Sequence, residues 1–96
     1  MNVEEALTIV EAVLDDNAGL NDIEEFIFRE CWQGKQSYEE MAKSSPYDSE
    51  YIKSVGAKLW RKLSKAKAFG EKVKKNNIKS VIRRYLQRCQ VTSHRN

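Results

Sequence analysis

Ninety-six residues, 32% of them charged, with two Cys and one His, make a single small domain, too thin for deep active-site architecture. One Pro, four Gly and many Leu, Ala, Glu and Lys favour an all-α chain; no stretch reaches the roughly 20 apolar residues of a membrane span, and an acidic start is unlike a signal sequence, so a cytoplasmic protein is expected. The formal net charge of +3 hides a division: residues 1–50 carry thirteen acids against three bases, and residues 51–96 carry one acid, Glu71, against fourteen bases.

Asn2, with Glu5 three residues on, has the capping-box pattern, and Val3, Ala6, Leu7, Val10, Val13 and Leu14 recur at helical spacing. A first helix is predicted from Val3 to about Asp15, followed by a turn at Asp16-Asn17-Ala18-Gly19. A second capping box, Asn21 with Glu24, opens the next helix, which Gly34 is suited to stop. Ile23, Phe26, Ile27 and Cys31 line its inner face, with Phe28 and Trp32 as a second apolar row, the pattern of a central helix. Ser37 with Glu40 predicts a short helix through Ala42 to about Ser44, and Ser45-Pro46-Tyr47 leaves room only for a turn.

Asp48 is placed to cap a fourth helix from Ser49 to about Ala66. Residues 67–75 lack clear periodicity and predict a basic connector or a short wing-like excursion. Asn76 or Asn77 can cap the last helix, whose inner face is Ile78, Val81, Ile82, Tyr85, Leu86 and Cys89. The fold class is therefore an all-α bundle of about five helices, occupying residues 1–90, with a disordered tail over 91–96. Cys31 and Cys89 each sit inside an apolar pattern and are expected as buried, reduced thiols.

A short helix, a tight turn and a longer basic helix in succession match a helix-turn-helix, with its core at about residues 21–66. Ala42 fits the small-residue position of the first helix; Ile52 and Val55 fit the two positions that pin the second helix across it. At about 100° per residue, Ile52, Val55, Gly56, Leu59, Trp60 and Leu63 share one half of the long helix, and Lys53, Ser54, Ala57, Lys58, Arg61, Lys62 and Lys65 the other. Should that outer face meet double-stranded DNA, Ser49, Glu50, Lys53, Ser54 and Ala57 are the candidates for base edges. Lys58, Arg61, Lys62 and Lys65 are then candidates for phosphates, joined by Tyr47 and Tyr51 beside the turn.

Pro46 stands where such turns usually hold a left-handed Gly, and Glu50 meets phosphate unfavourably unless it accepts from a cytosine amino group. Lys79, Arg83, Arg84 and Arg88 form a second basic surface on the last helix, suited to phosphates or to the acidic first helix of the same or a neighbouring molecule. The alternative partner is thus protein: a signalling partner or a second copy of the chain, recognised by the same fold.

Other chemistry finds little support. The one His, His94, lies in the expected tail, so neither a Ser-His nor a Cys-His pair has a base. Glu4, Glu5, Glu11, Asp15 and Asp16 are spaced as a solvated helix face, neither Cys has a metal-ligand spacing, and no glycine-rich phosphate loop occurs. A non-enzyme without metal, cofactor or small-molecule substrate is expected. Phe26, Phe28, Trp32, Trp60 and Tyr85 sit in apolar stripes and are expected in the core, leaving Phe69, in the basic connector, as the exception.

Four segments carry a family resemblance: Trp32-Gln33-Gly34, Tyr38-Glu39-Glu40-Met41-Ala42, Tyr51 through Trp60 (Tyr-Ile-Lys-Ser-Val-Gly-Ala-Lys-Leu-Trp), and Gly70-Glu71-Lys72-Val73. With Lys75-Asn76-Asn77-Ile78-Lys79-Ser80-Val81 and Arg83-Arg84-Tyr85, they span roughly residues 1–88. The chain resembles the N-terminal helix-turn-helix domain of vWA-MoxR-associated proteins, large multidomain proteins of cyanobacteria, and departs from it at Pro46, where the family usually has Gly. The resemblance implies a tri- or tetrahelical fold somewhat like the fourth region of bacterial sigma factors. It also implies a place ahead of ATPase, NB-ARC-like, peptidase-like or β-propeller signalling domains.

Overall fold

Side-chain caps start each of the first four helices, and burial then decides how they pack. In the computed structural model, which describes residues 1–14, 19–34 and 37–94, with side chains through Cys89, there are five helices and no strand. They are α1 (Val3–Val13), α2 (Asp22–Trp32), α3 (Tyr38–Lys43), α4 (Ser49–Lys65) and α5 (Ile78–His94).

The capping boxes at Asn2 and Asn21 close in both directions: each Asn side chain accepts the N–H three residues on, and the Glu there accepts the Asn backbone N–H, all at 2.9–3.0 Å. Ser37 Oγ accepts from Glu40 N–H at 3.1 Å and Asp48 Oδ1 from Tyr51 N–H at 2.8 Å, so α3 and α4 also start where expected. Gly19 and Gly34, which bound α2, take φ of 67° and 98°, left-handed values that other residues seldom hold. The turn expected at Asp16-Asn17-Ala18 lies outside the described residues. α5 runs to His94, into the segment expected as a tail, of which Arg95 and Asn96 lie outside the described residues.

α2 lies centrally, with Ile23, Ile27, Phe28 and Cys31 buried between α1 and α4. Burial holds the Cys31 thiol up at about 12, so it is inert as a nucleophile. α4 crosses both α2 and α3, burying Ile52, Leu59, Trp60 and Leu63. Ala42 and Val55, the expected small and pinning residues, are half-buried, Ile52 is fully buried, and Gly56 of α4 lies directly against the Tyr38 side chain of α3. A Cβ there would stand 2.8 Å from Tyr38 Oη, which accepts a 3.0 Å hydrogen bond from Trp60 Nε1. Gly56 is thus small for packing rather than for flexibility.

Two expectations are corrected. Cys89 is exposed, because it lies toward the far end of α5, beyond the buried residues Ile78, Val81 and Ile82; both thiols are free. The connector is part of the core: Phe69 and Val73 are 1% and 2% exposed, and Phe69 meets Tyr85 edge to face at 5.6 Å. The segment between these two anchors is short and turns through Gly70 (φ 65°), which is why no helical or strand period reveals it.

Polar contacts hold the connector from both sides. Ser64 Oγ on α4 accepts Val73 N–H at 2.8 Å and donates to Trp60 O. Asn77, just ahead of α5, accepts Lys74 N–H at 2.7 Å and donates to Lys72 O at 3.0 Å. From α5, Arg84 grips Glu71 through two bonds of 2.7 and 2.9 Å, and Arg88 donates to the carbonyls of Ala68 and Phe69. The part-buried Val73 N–H and Phe69 carbonyl so avoid the cost of burial without a partner.

Candidate nucleic-acid interface

α3, the following turn and α4 form the helix-turn-helix, with α2 beneath them. The turn closes without a left-handed Gly. Ser44 and Ser45 N–H donate to Met41 O and Ala42 O, Ser44 Oγ donates to Met41 O at 3.2 Å, and Ser45 Oγ accepts Tyr47 N–H at 3.3 Å. Serine hydroxyls therefore serve the end of α3, and Pro46, which has no N–H to satisfy, sits exposed just after them. Tyr47 is half-buried in an aromatic row, 6.1 Å from Phe26 and 5.7 Å from Tyr51, ring to ring; it fastens the turn to α2, while Tyr51 is 47% exposed.

The outer face of α4 is largely as its periodicity predicts. Glu50, Lys53, Ser54, Ala57, Lys58, Arg61 and Lys65 are exposed, and Ser49 is half-buried at the helix start. Lys53, Lys58, Arg61 and Lys65 have no acidic partner among the described residues. Lys62 differs from them. Its ammonium donates to Glu24 Oε1 at 3.0 Å and to Gly19 O at 3.4 Å, drawing α4 onto the start of α2. Glu24 is the buried charged residue of the core, and the same oxygen accepts Asn21 N–H, so a carboxylate that caps one helix also holds another. Only the folded chain reveals this, since 38 residues separate the partners.

The second basic surface is taken up differently. Arg84 and Arg88 bind the connector, Lys79 lies 5.3 Å from the Trp32 ring centre, and Arg83 is exposed. Hydrogen bonding to Arg84 holds the Glu71 carboxyl below the usual carboxylate range. The first helix finds its cation elsewhere: Arg29 on α2 bridges Glu4 and Glu25, lowering the Glu4 pKa through the hydrogen bond and raising that of Arg29 itself. Glu4 on α1 and Glu24 and Glu25 on α2 are thus served by Arg29 and Lys62 and leave Lys53, Lys58, Arg61 and Lys65 of α4 unmasked.

Sequence reading missed one part of this surface. Lys72 and Lys74 of the connector line a groove with Ala57, Arg61 and Ser64 of α4. The signal was present in the alternation of Lys72, Val73 and Lys74, which puts one residue inward and two outward. Among the described residues, no three His, Cys, Asp or Glu side chains gather as a metal site requires, and no helix is long and apolar enough to cross a membrane.

Fold and exposed face together define an all-α helix-turn-helix domain. Residues 1–85 match the family model for the vWA-MoxR associated protein N-terminal HTH, and the chain belongs to that family. No curated protein and no solved structure matches it.

Proposed function

We propose that this domain binds duplex DNA for a regulatory or signalling protein of the cytoplasm, with α4 docked in the major groove, and that it acts by binding rather than catalysis. The observation that carries this reading is the predominantly basic outer face of α4, whose one acid is Glu50 in the first turn: Lys53, Lys58, Arg61 and Lys65 are exposed and have no acidic partner among the described residues, on the helix that follows the turn. Residues of the first turns, Ser49, Glu50, Lys53, Ser54 and Ala57, meet base edges, and Lys58, Arg61 and Lys65 meet phosphates together with Tyr51. Glu50 then selects against neighbouring phosphates unless it accepts from a cytosine amino group. Selection of bound sequences from a random duplex pool tests this. An enriched motif that Lys58→Glu with Arg61→Glu fails to retain is the expected result, and no enrichment from wild type at low salt contradicts it.

A second reading, a protein-docking module, draws on an apolar groove between α5 and the end of α2. It is lined by Trp32, Ile82, Leu86 and Met1, with Lys79 and Arg83 at its edge. Sedimentation at low and high salt separates self-association from DNA binding, because a chain that is monomeric at both cannot be using that groove for a second copy.

A further inference from the structure

We infer that the connector between α4 and α5 is a second, preformed contact for the DNA backbone: Lys72 and Lys74, with Arg61 across the groove, clamp phosphates beside the strand edge that α4 approaches. This rests on the DNA-binding reading of α4 and adds to it a contact outside the helix-turn-helix.

Three observations carry it. The groove is shared, since Ala57, Arg61 and Ser64 of α4 line it together with Lys72 and Lys74 of the connector. A phosphate chain following α4 therefore passes the two lysines. Every charged residue that lines the groove, Arg61, Lys72 and Lys74, is a cation. The single acid of the back half, Glu71, does not line it; both its oxygens are taken by Arg84 of α5. Like charges gathered on two walls without an acid repel one another, and a polyanion relieves that repulsion.

The lysine backbones are held in place as well. Val73, between them, is 2% exposed and bonded to Ser64 Oγ, while Asn77 takes the N–H of Lys74 and the carbonyl of Lys72. Alternation then directs both lysine side chains away from the core while Val73 enters it. Ordinary surface lysines lose loop entropy as well as side-chain entropy when they meet a ligand; here the loop is ordered in advance. The sequence Lys-Val-Lys is thus read as one apolar anchor flanked by two placed charges.

The test is the salt dependence of binding to a short mixed-sequence duplex, followed by fluorescence anisotropy, with thermal unfolding recorded for each variant. Removing two phosphate contacts, as Lys72→Ala with Lys74→Ala, is expected to make the slope of log K against log salt shallower by about 2, with an unchanged unfolding midpoint. Lys72→Arg with Lys74→Arg is expected to restore the wild-type slope. An unchanged slope in the Ala pair, while Lys58→Ala with Arg61→Ala is shallower, overturns the clamp and leaves α4 as the sole contact. Absence of salt-dependent binding by wild type overturns both readings together.

Discussion

α4 and α5 are both 17 residues long, both rich in Lys and Arg, and both amphipathic, yet their charges do different work. On α5, Arg84 holds Glu71 and Arg88 holds two connector carbonyls, while Lys79 lies near an indole ring. On α4, Lys53, Lys58, Arg61 and Lys65 project into solvent with no acid to meet them among the described residues. A basic helix marks a polyanion site only when the fold leaves its cations without partners. The same lesson applies inside α4, where Lys62 is claimed by Glu24.

The sharpest way to break this comparison is to loosen the connector that the α5 arginines hold, by removing its apolar anchor. Phe69→Ala empties a buried aromatic site beside Tyr85 and is expected to lower stability by about 3–5 kcal/mol in chemical denaturation; a loss near zero reduces the connector to an ordinary loop. Next in size is Lys58→Glu with Arg61→Glu, which is expected to weaken duplex binding by about 100-fold or more at low salt, with an unfolding midpoint close to wild type. An equal loss of binding and of stability removes the distinction between the two helices.

Lys62→Ala sharpens the contrast within α4. It leaves the Glu24 carboxylate buried without its ammonium and is expected to lower stability by about 1–3 kcal/mol, whereas Lys58→Ala, a surface change, stays within about 0.5 kcal/mol. Equal unfolding midpoints for the two variants contradict this assignment. The smallest effect concerns acid. The Glu4 and Glu71 carboxyls, ordinarily at 4.5, are lowered in the folded chain by Arg29 and Arg84, so their contribution is complete above that value and is lost as pH falls through the lowered folded one. Thermal unfolding is expected to show a small drop in midpoint below pH 4.5, and a smaller one in Arg84→Ala, where the Glu71 share is already gone.

What was legible in the sequence was local. The caps at Asn2, Asn21, Ser37 and Asp48 each join residues three apart, and the inner face of α4 repeats every turn, so neighbours along the chain suffice to read them. What was not legible depended on distant partners. Lys62 looks like its neighbours until Glu24 folds against it, and Phe69 looks solvated until Tyr85 covers it. Cys89 keeps the apolar register of α5 beyond the point where there is a core to enter. At Pro46, the departure from a glycine turn was visible, but its resolution by Ser44 and Ser45 hydroxyls was not. The α4 half of the candidate site was readable from periodicity, while the connector wall of the groove required the fold.

The most direct measurement is a salt titration of duplex binding with two paired variants side by side, Lys58→Ala with Arg61→Ala on α4 and Arg84→Ala with Arg88→Ala on α5. The expected result is a slope shallower by about 2 for the α4 pair, and a near wild-type slope with a lowered unfolding midpoint for the α5 pair. Equal changes in slope from both pairs, or none from the α4 pair, contradict the account.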